Sequence, residues 1–232
     1  MANEYPNLYV SISGVMGSGK TTATKLLADH LELHLFEEDA DRNTFLPLYY
    51  NDPRRWALHS QLFYLREKFA QLAKIKLLLE HTPVVQDSPL YQDYHTYTKA
   101  QHTLGNMDEA EFELYERFFH TLHDHAPVPD LIVQLDASAD SLMRRIHERA
   151  RGYELAVEHA YVALLARLQE QWIENHGHLN IFRIDTNDLD LVRNRAHQQQ
   201  FIEAVKDRMT LIAARRQEPL PLEPLSKISA VT

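Results

Sequence analysis

Cysteine is absent from this chain of 232 residues, which excludes disulfides, thiolate catalysis and any zinc site built on cysteine. Glycine is scarce, six residues in all, so a place where several gather has a backbone reason for them. No run approaches the ~18–20 apolar residues of a membrane-spanning helix. The opening MANEYPNLYVSIS has neither the basic start nor the long apolar stretch of a secretory signal. Net positive charge is missing too: 33 Asp and Glu outweigh 24 Lys and Arg, a formal charge of −9. That disfavours non-specific binding to nucleic acid or anionic membranes, which needs a positive surface field. These absences lead us to expect a cytoplasmic protein with neither nucleic acid nor membrane as partner.

The length suits one large domain with a full core better than two. Apolar runs of strand length occur at 8–13, 33–36, 83–86, 129–135 and 179–184. Around them, 18–31, 53–79, 91–101, 108–125, 138–148, 158–175 and 189–215 carry helical spacing. Short strands alternating with long helices predict one α/β domain over 1–215, with a five-stranded parallel sheet and helices on both faces. Ser138 stands as a cap before its helix. Residues 216–232 form a Pro-rich tail, expected to be extended or disordered.

Three of the six glycines fall in GVMGSGKT, residues 14–21, directly after the first strand and at the start of the first helix. A triphosphate needs inward-pointing backbone N–H groups, positive charge at its β and γ oxygens, and a hydroxyl for Mg²⁺. Gly14, Gly17 and Gly19 let the backbone curl around the anion, with Val15, Met16, Ser18 and Thr22 completing the loop. Lys20 brings the charge and Thr21 the hydroxyl. The pattern arises by chance in roughly one chain in a hundred of this length, and its strand-before, helix-after setting is rarer still. It points to a phosphotransferase using ATP and Mg²⁺. No NKxD guanine-reading motif is present, which weighs against a GTPase.

Transfer to an alcohol also asks for a base, arginines for the moving phosphoryl, and a lid that excludes water. Glu37 and Glu38 follow the second strand at the carboxyl edge of the sheet, and either could take the base role. Arg144, Arg145, Arg149 and Arg151 lie on and beyond the helix after strand four, with Arg145 and Arg149 on one face by i, i+4 spacing. Asp87, ending strand three, is the metal-linked carboxylate, with Asp136 at the end of strand four its rival. His120, His123 and His125 invite a metal reading, but a polar helix end before Pro127 favours a solvated surface.

Five segments in order carry a resemblance: ISGVMGSGKTT, FEEDADRNTFLPLYYNDPRRWALHSQLFYL, DSPLYQD, GNMDEAEFELY and PDLIVQLDASADSLMRRIHERARGYE. Together they resemble the deoxynucleoside kinases, the group of deoxycytidine, deoxyguanosine and bacterial deoxyadenosine kinases. The resemblance implies a P-loop kinase fold with an arginine-rich lid, and phosphorylation of a deoxynucleoside 5′-hydroxyl by ATP. It gives Glu38 the proton of that hydroxyl, Tyr50 and Glu154 the sugar 3′-hydroxyl, and Gln61 and Asp93 the edge of the base. Lys68 falls where many relatives place an arginine near the base, and Trp56 and Phe63 become candidates for the pocket wall. Arg145, Arg149 and Arg151 become the lid over the ATP phosphates, and Asp185 and Asn187 part of a loop beside the adenine. A purine deoxynucleoside leads as acceptor and deoxycytidine follows. A homodimer is implied through the helices 53–79 and 108–125. One position departs: Ser88 stands where relatives usually carry arginine, so Arg42 or a lid arginine would have to compensate. A nucleoside monophosphate kinase, such as a thymidylate kinase, and a weakly catalytic nucleotide-binding protein stay open as alternatives.

Overall fold

The computed structural model describes residues 7–217; the first six residues and the segment 218–232, which holds most of the expected tail, lie outside them. Five strands, β1 (Tyr9–Ser13), β2 (His34–Phe36), β3 (Val84–Asp87), β4 (Leu131–Asp136) and β5 (Ile181–Asp185), form one parallel sheet in the order β2-β3-β1-β4-β5. The helices are α1 (Lys20–Leu31), α2 (Leu46–Asn51), α3 (Pro53–Leu78), α4 (Leu90–Gln92), α5 (Lys99–Thr103), α6 (Glu109–His123), α7 (Ala139–Arg149), α8 (His159–Asn175) and α9 (Arg195–Gln217). Among the described residues no helix is long and apolar enough to cross a membrane.

A parallel sheet covered on both faces needs apolar side chains pointing both ways, which is why β1, β3 and β4 are buried along nearly their whole length. Val10, Ile12, Val133 and Leu135 meet Leu27 of α1 and Phe201, Val205 and Met209 of α9 on one face. Tyr9 and Val84 point to the other, where Leu65, Leu72 and Ile75 of α3 and Tyr115 and Phe119 of α6 cover them. The strand order reverses direction at β1, and in such sheets the crevice at the carboxyl ends of the strands around the reversal is the natural ligand site.

Three elements differ from expectation. Helix α2 forms in a stretch with no helical pattern; Pro47 sits in its first turn, where a proline costs no backbone bond, and Asn43 Oδ1 accepts from Phe45 N at 3.1 Å just before it. The run 91–101 is not one α-helix: α4 passes into a π-helical segment at Asp93–Thr98 before α5. Helix α9 starts at Arg195 rather than near 189, because Asp190 and Asn194 take the backbone amides of Val192, Arg193, Ala196 and His197. It then runs through Gln217, two residues into the segment expected to be tail. Ser138 caps α7 as expected, accepting from Ser141 N at 3.2 Å.

Candidate active site

The loop between β1 and α1 lines a cleft of about 750 Å³ at the carboxyl edge of the sheet. Its root is held by buried polar groups. Gly14 N and Ser13 Oγ both donate to Gln92 Oε1, at 2.9 and 3.0 Å. Gln169 Nε2 donates to Ser13 Oγ and Gln134 Oε1, each at 2.9 Å, and Gln169 Oε1 accepts from Thr96 Oγ1 at 2.5 Å. This chain ties the loop to β4, α8 and the π-helical segment. Met16, Gly17, Ser18, Gly19, Lys20, Thr21 and Thr22 line the cleft. Gly14 and Val15 do not; Val15 packs its side chain against Ala100, Leu142 and Val162. Lys20 Nζ donates to Gly14 O at 2.7 Å and lies 3.4 Å from Val15 O; burial lowers its pKa, with Asp87 and Glu38 opposing.

Thr21 Oγ1 donates to Asp87 Oδ2 at 2.7 Å, while Asp87 Oδ1 is buried without a hydrogen-bond partner. Burial raises the Asp87 pKa, with Lys20 pulling against it. Asp136, the rival carboxylate, accepts from Arg183 Nε at 2.7 Å and from Gln134 Nε2 at 3.2 Å, and it stays out of the cleft.

Glu37 and Glu38 separate sharply. Glu37 turns outward to Lys25 at 2.6 Å, whereas Glu38 lines the cleft. Glu38 Oε2 accepts from Lys68 Nζ at 3.0 Å, and the same ammonium donates to the carbonyls of Asp87 (3.0 Å) and Ser88 (2.8 Å). An ammonium has three N–H donors, so Lys68 has none left for a base; it is 2% exposed and is not among the cleft residues. Its expected place beside the base is therefore corrected. Burial opposes the charge of Lys68, but Glu38, Asp93 and Asp87 outweigh it and raise the pKa.

Tyr50, Gln61, Asp93 and Glu154 all reach the cleft. Asp93 Oδ2 is buried with no partner. Burial pushes its pKa up to about 7, with Lys68 opposing and Glu38 adding. Trp56 is not brought to the cleft: it stacks on Phe45, with ring centroids 5.9 Å apart, and packs with Leu46, Tyr49 and Met107. Phe63 instead borders a small adjoining hollow beside Glu38 and Lys68. Arg42 is exposed and faces Glu67 at 3.4 Å, so it does not supply the cation missing at Ser88.

At the end of α7, Ala150 takes a left-handed conformation (φ 50°), and the chain reverses into the turn 152–156. The reversal brings Glu154, which is 5% exposed, onto Arg149, with contacts of 2.7–3.0 Å from Nε and Nη2. Arg151 Nη1 lies 3.8 Å from the same carboxylate. Arg145 binds the loop after β5 through Thr186 Oγ1 (3.2 Å) and the Thr186 carbonyl. Asn187 lines the cleft and accepts from Ser138 N at 2.9 Å. Asp185 does not line it; its Oδ1 accepts from the backbone and side-chain amides of Asn187.

Tyr97, Tyr161 and Arg193 also line the cleft and were not read from the sequence, while Thr186 lines it from the loop expected beside the adenine. Tyr97 had a legible signal, four residues after Asp93 on one helical face, and the wider turn of the π-helix keeps the pair together. Tyr161 and Arg193 reach the cleft from α8 and the loop before α9, which no local pattern announces. His120 packs against Tyr94 and Phe119, and His123 against Tyr91 and Phe119.

Comparison with known proteins gives the chain's relatives. The deoxyadenosine/deoxycytidine kinase of Bacillus subtilis (strain 168) is 26% identical over 202 residues, spanning 86% of this chain and 92% of that protein. The deoxyadenosine kinase of Lactobacillus acidophilus is 28% identical over 209 residues, spanning 86% and 95%. The structure of deoxyadenosine kinase from M. mycoides with the products dCMP and dCDP superposes with a TM-score of 0.76 at 23% identity, covering 87% of this chain and 98% of that one. At that identity the likeness shows the fold. The family model described as deoxynucleoside kinase matches residues 10–210, and the chain belongs to the deoxynucleoside kinase family.

Proposed function

We propose that the chain transfers the γ-phosphoryl of ATP to the 5′-hydroxyl of a deoxynucleoside, giving the 5′-monophosphate and ADP. The observation that carries this reading is one cleft that unites the phosphate loop with Glu38, Tyr50, Gln61, Asp93 and Glu154. Relatives named as deoxyadenosine, deoxycytidine and deoxyguanosine kinases support it. So does the acceptor chemistry. Three carboxylates suit a neutral, polyhydroxylated acceptor, whereas a nucleoside monophosphate would need additional cations around its phosphate.

Glu38 accepts the proton of the 5′-hydroxyl as that oxygen attacks the γ-phosphorus. The new O–P bond forms while the bond to the β–γ bridging oxygen breaks, and ADP leaves with that electron pair. Lys20 and the lid arginines Arg145, Arg149 and Arg151 neutralise the charge spread over the moving phosphoryl, and the loop 186–193 flanks the adenine. Tyr50 and Glu154 hold the 3′-hydroxyl. Gln61 and Asp93 read the base edge, with deoxyadenosine or deoxyguanosine leading and deoxycytidine behind. The pairing of Glu154 with Arg149 makes the sugar contact and the lid neighbours, so a bound sugar orders an arginine needed on the phosphate side.

The buried, unpartnered Asp87 Oδ1 beside the Thr21 hydroxyl suits a hydrated divalent cation. Thr21 and Asp87 would hold Mg²⁺, Asp87 partly through water, and the ion would offset phosphate charge. A homodimer is supported by the apolar side chains that α3 and α6 leave exposed, Phe69, Leu77, Leu114 and Phe118. We place the enzyme in the cytoplasm, where ATP and free deoxynucleosides meet.

The test is phosphate transfer from ATP across a panel of deoxynucleosides and their monophosphates. Transfer to at least one purine deoxynucleoside is expected. Transfer to monophosphates alone, or tight ATP binding without transfer to any acceptor, would overturn the proposal.

A further inference from the structure

Lys68 is a charged side chain with no surface to answer to: it is 2% exposed and stands on α3, outside the phosphate loop and the lid. A cation buried so completely has to be repaid by partners. Its partners are of two kinds. Two are the main-chain carbonyls of Asp87 and Ser88, where β3 ends. The third is the carboxylate of Glu38, at 3.0 Å. Two carbonyls alone would make Lys68 a staple between α3 and β3; the third contact makes it a neighbour of the group assigned as base.

The backbone is shaped for this arrangement. Ser88 is a non-glycine residue at φ 71°, a conformation that costs an L-residue free energy. Its N–H donates to Ile12 O at 3.0 Å and its carbonyl accepts from Lys68, so the strained residue sits between the strand that leads into the phosphate loop and the buried ammonium. The loop itself, Ser88-Pro89, carries no cation of its own. Arg42 faces Glu67 at 3.4 Å, and Arg149 faces Glu154. Among the described residues Glu38 therefore has one direct cationic partner, Lys68, whose other bonds fix it to the strand carrying Asp87.

We infer that Lys68 is a positioning residue for phosphoryl transfer: its ammonium, anchored on the carbonyls of Asp87 and Ser88, holds the Glu38 carboxylate in place for the acceptor hydroxyl. This rests on the kinase reading above and on Glu38 as the base. Lys68 acts through Glu38 and does not touch the acceptor. The lone pair of Glu38 that is not engaged by the ammonium stays available to take the proton, and the charge of the pair remains balanced before transfer. The restraint is worth most when Glu38 has to meet a small, freely rotating hydroxyl, because misplacing a reacting group by about 1 Å costs on the order of a hundredfold in rate.

The experiment compares Lys68→Met, Lys68→Arg, Glu38→Gln and the double variant Glu38→Gln/Lys68→Met, with steady-state kinetics on ATP and a deoxynucleoside. Expected is a fall in kcat of about a hundredfold for Lys68→Met, with KM for ATP within about threefold, and recovery to within about tenfold in Lys68→Arg. Glu38→Gln alone should lose at least about a hundredfold, and the double variant should be no worse than that single variant beyond about threefold, because one residue acts through the other. If Lys68→Met does not fold, Lys68→Gln, which keeps two donors and loses the charge, takes its place in the cycle. Independent, multiplying losses in the double variant, or a Lys68→Met kcat within about threefold of the parent, would overturn the inference. A parent protein that phosphorylates no deoxynucleoside would instead overturn the kinase reading and remove the reaction that Lys68 is said to serve.

Discussion

Asp93 shows how far burial alone can move one side chain. Its carboxyl is enclosed on the π-helical segment, and the loss of solvation outweighs the pull of Lys68, pushing its pKa up to about 7. In the unfolded chain the same group ionises near about 4. Between those values the native protein holds a proton that the unfolded chain has released. This group's contribution to stability therefore falls as pH rises through that window and levels off above it. Asp93→Asn removes the titration. Thermal melts at about pH 4.5 and about pH 7.5 should show the parent losing ground to the variant at the higher pH; a difference that does not change with pH would place the proton elsewhere. Functionally, a carboxyl poised near neutrality can accept a hydrogen bond when ionised and donate one when protonated, which suits the base-reading role proposed for Asp93. The sequence singled out Asp93 by its place in a family pattern. It held no information on this pKa, which comes from the enclosure.

Among elements, the phosphate loop is the most completely specified locally. Gly17 stands at φ 82°, where a side chain costs about 1–2 kcal/mol. A Cβ there would also lie 2.8 Å from Leu142 O, a backbone atom with little freedom to move. Gly19, at φ 97°, has nothing within 4 Å of the same position. The two alanine substitutions should therefore separate. Gly17→Ala is expected to raise KM for ATP by at least about tenfold, and Gly19→Ala by clearly less, as measured by initial rates with acceptor saturating. Equal effects would show that dihedral strain alone sets the cost. The loop's support was not legible. Gln92, Gln134 and Gln169 are glutamines in strand and helix stretches, and only the packing of α8 on the sheet makes them a connected chain under Ser13 and Gly14. Helix α2 escaped for a related reason: its six residues have no repeat of their own, and its place is set by Tyr49 and Leu46 packing on Ala57 of α3 and on Met107.

For the whole molecule, the open question of assembly turns on α3 and α6. Leu114 and Phe118 lie one turn apart on α6, exposed at 45% and 49%, and Phe69 and Leu77 remain exposed on α3. Covering the exposed part of each such side chain, about half of it in most, contributes on the order of 1 kcal/mol. Sedimentation equilibrium should give a dimer for the parent and a monomer for Leu114→Asp/Phe118→Asp, with the thermal stability of the monomeric fold retained. A monomeric parent would rule the dimer out. Much of the architecture followed from the chain itself. Buried strands, amphipathic helices and the glycine loop are local patterns, so the parallel sheet, the phosphate site and the helix cap at Ser138 could be read along the sequence. What the tertiary structure decided is which of two equivalent residues faces inward and what a long side chain touches. Glu37 and Glu38 are neighbours of one chemistry, and the direction of the chain leaving β2 sends one to Lys25 and the other to the cleft. Lys68 is a residue of α3 whose meaning depends on where β3 ends, because an ammonium on a flexible stem goes to whichever acceptors the fold brings within reach.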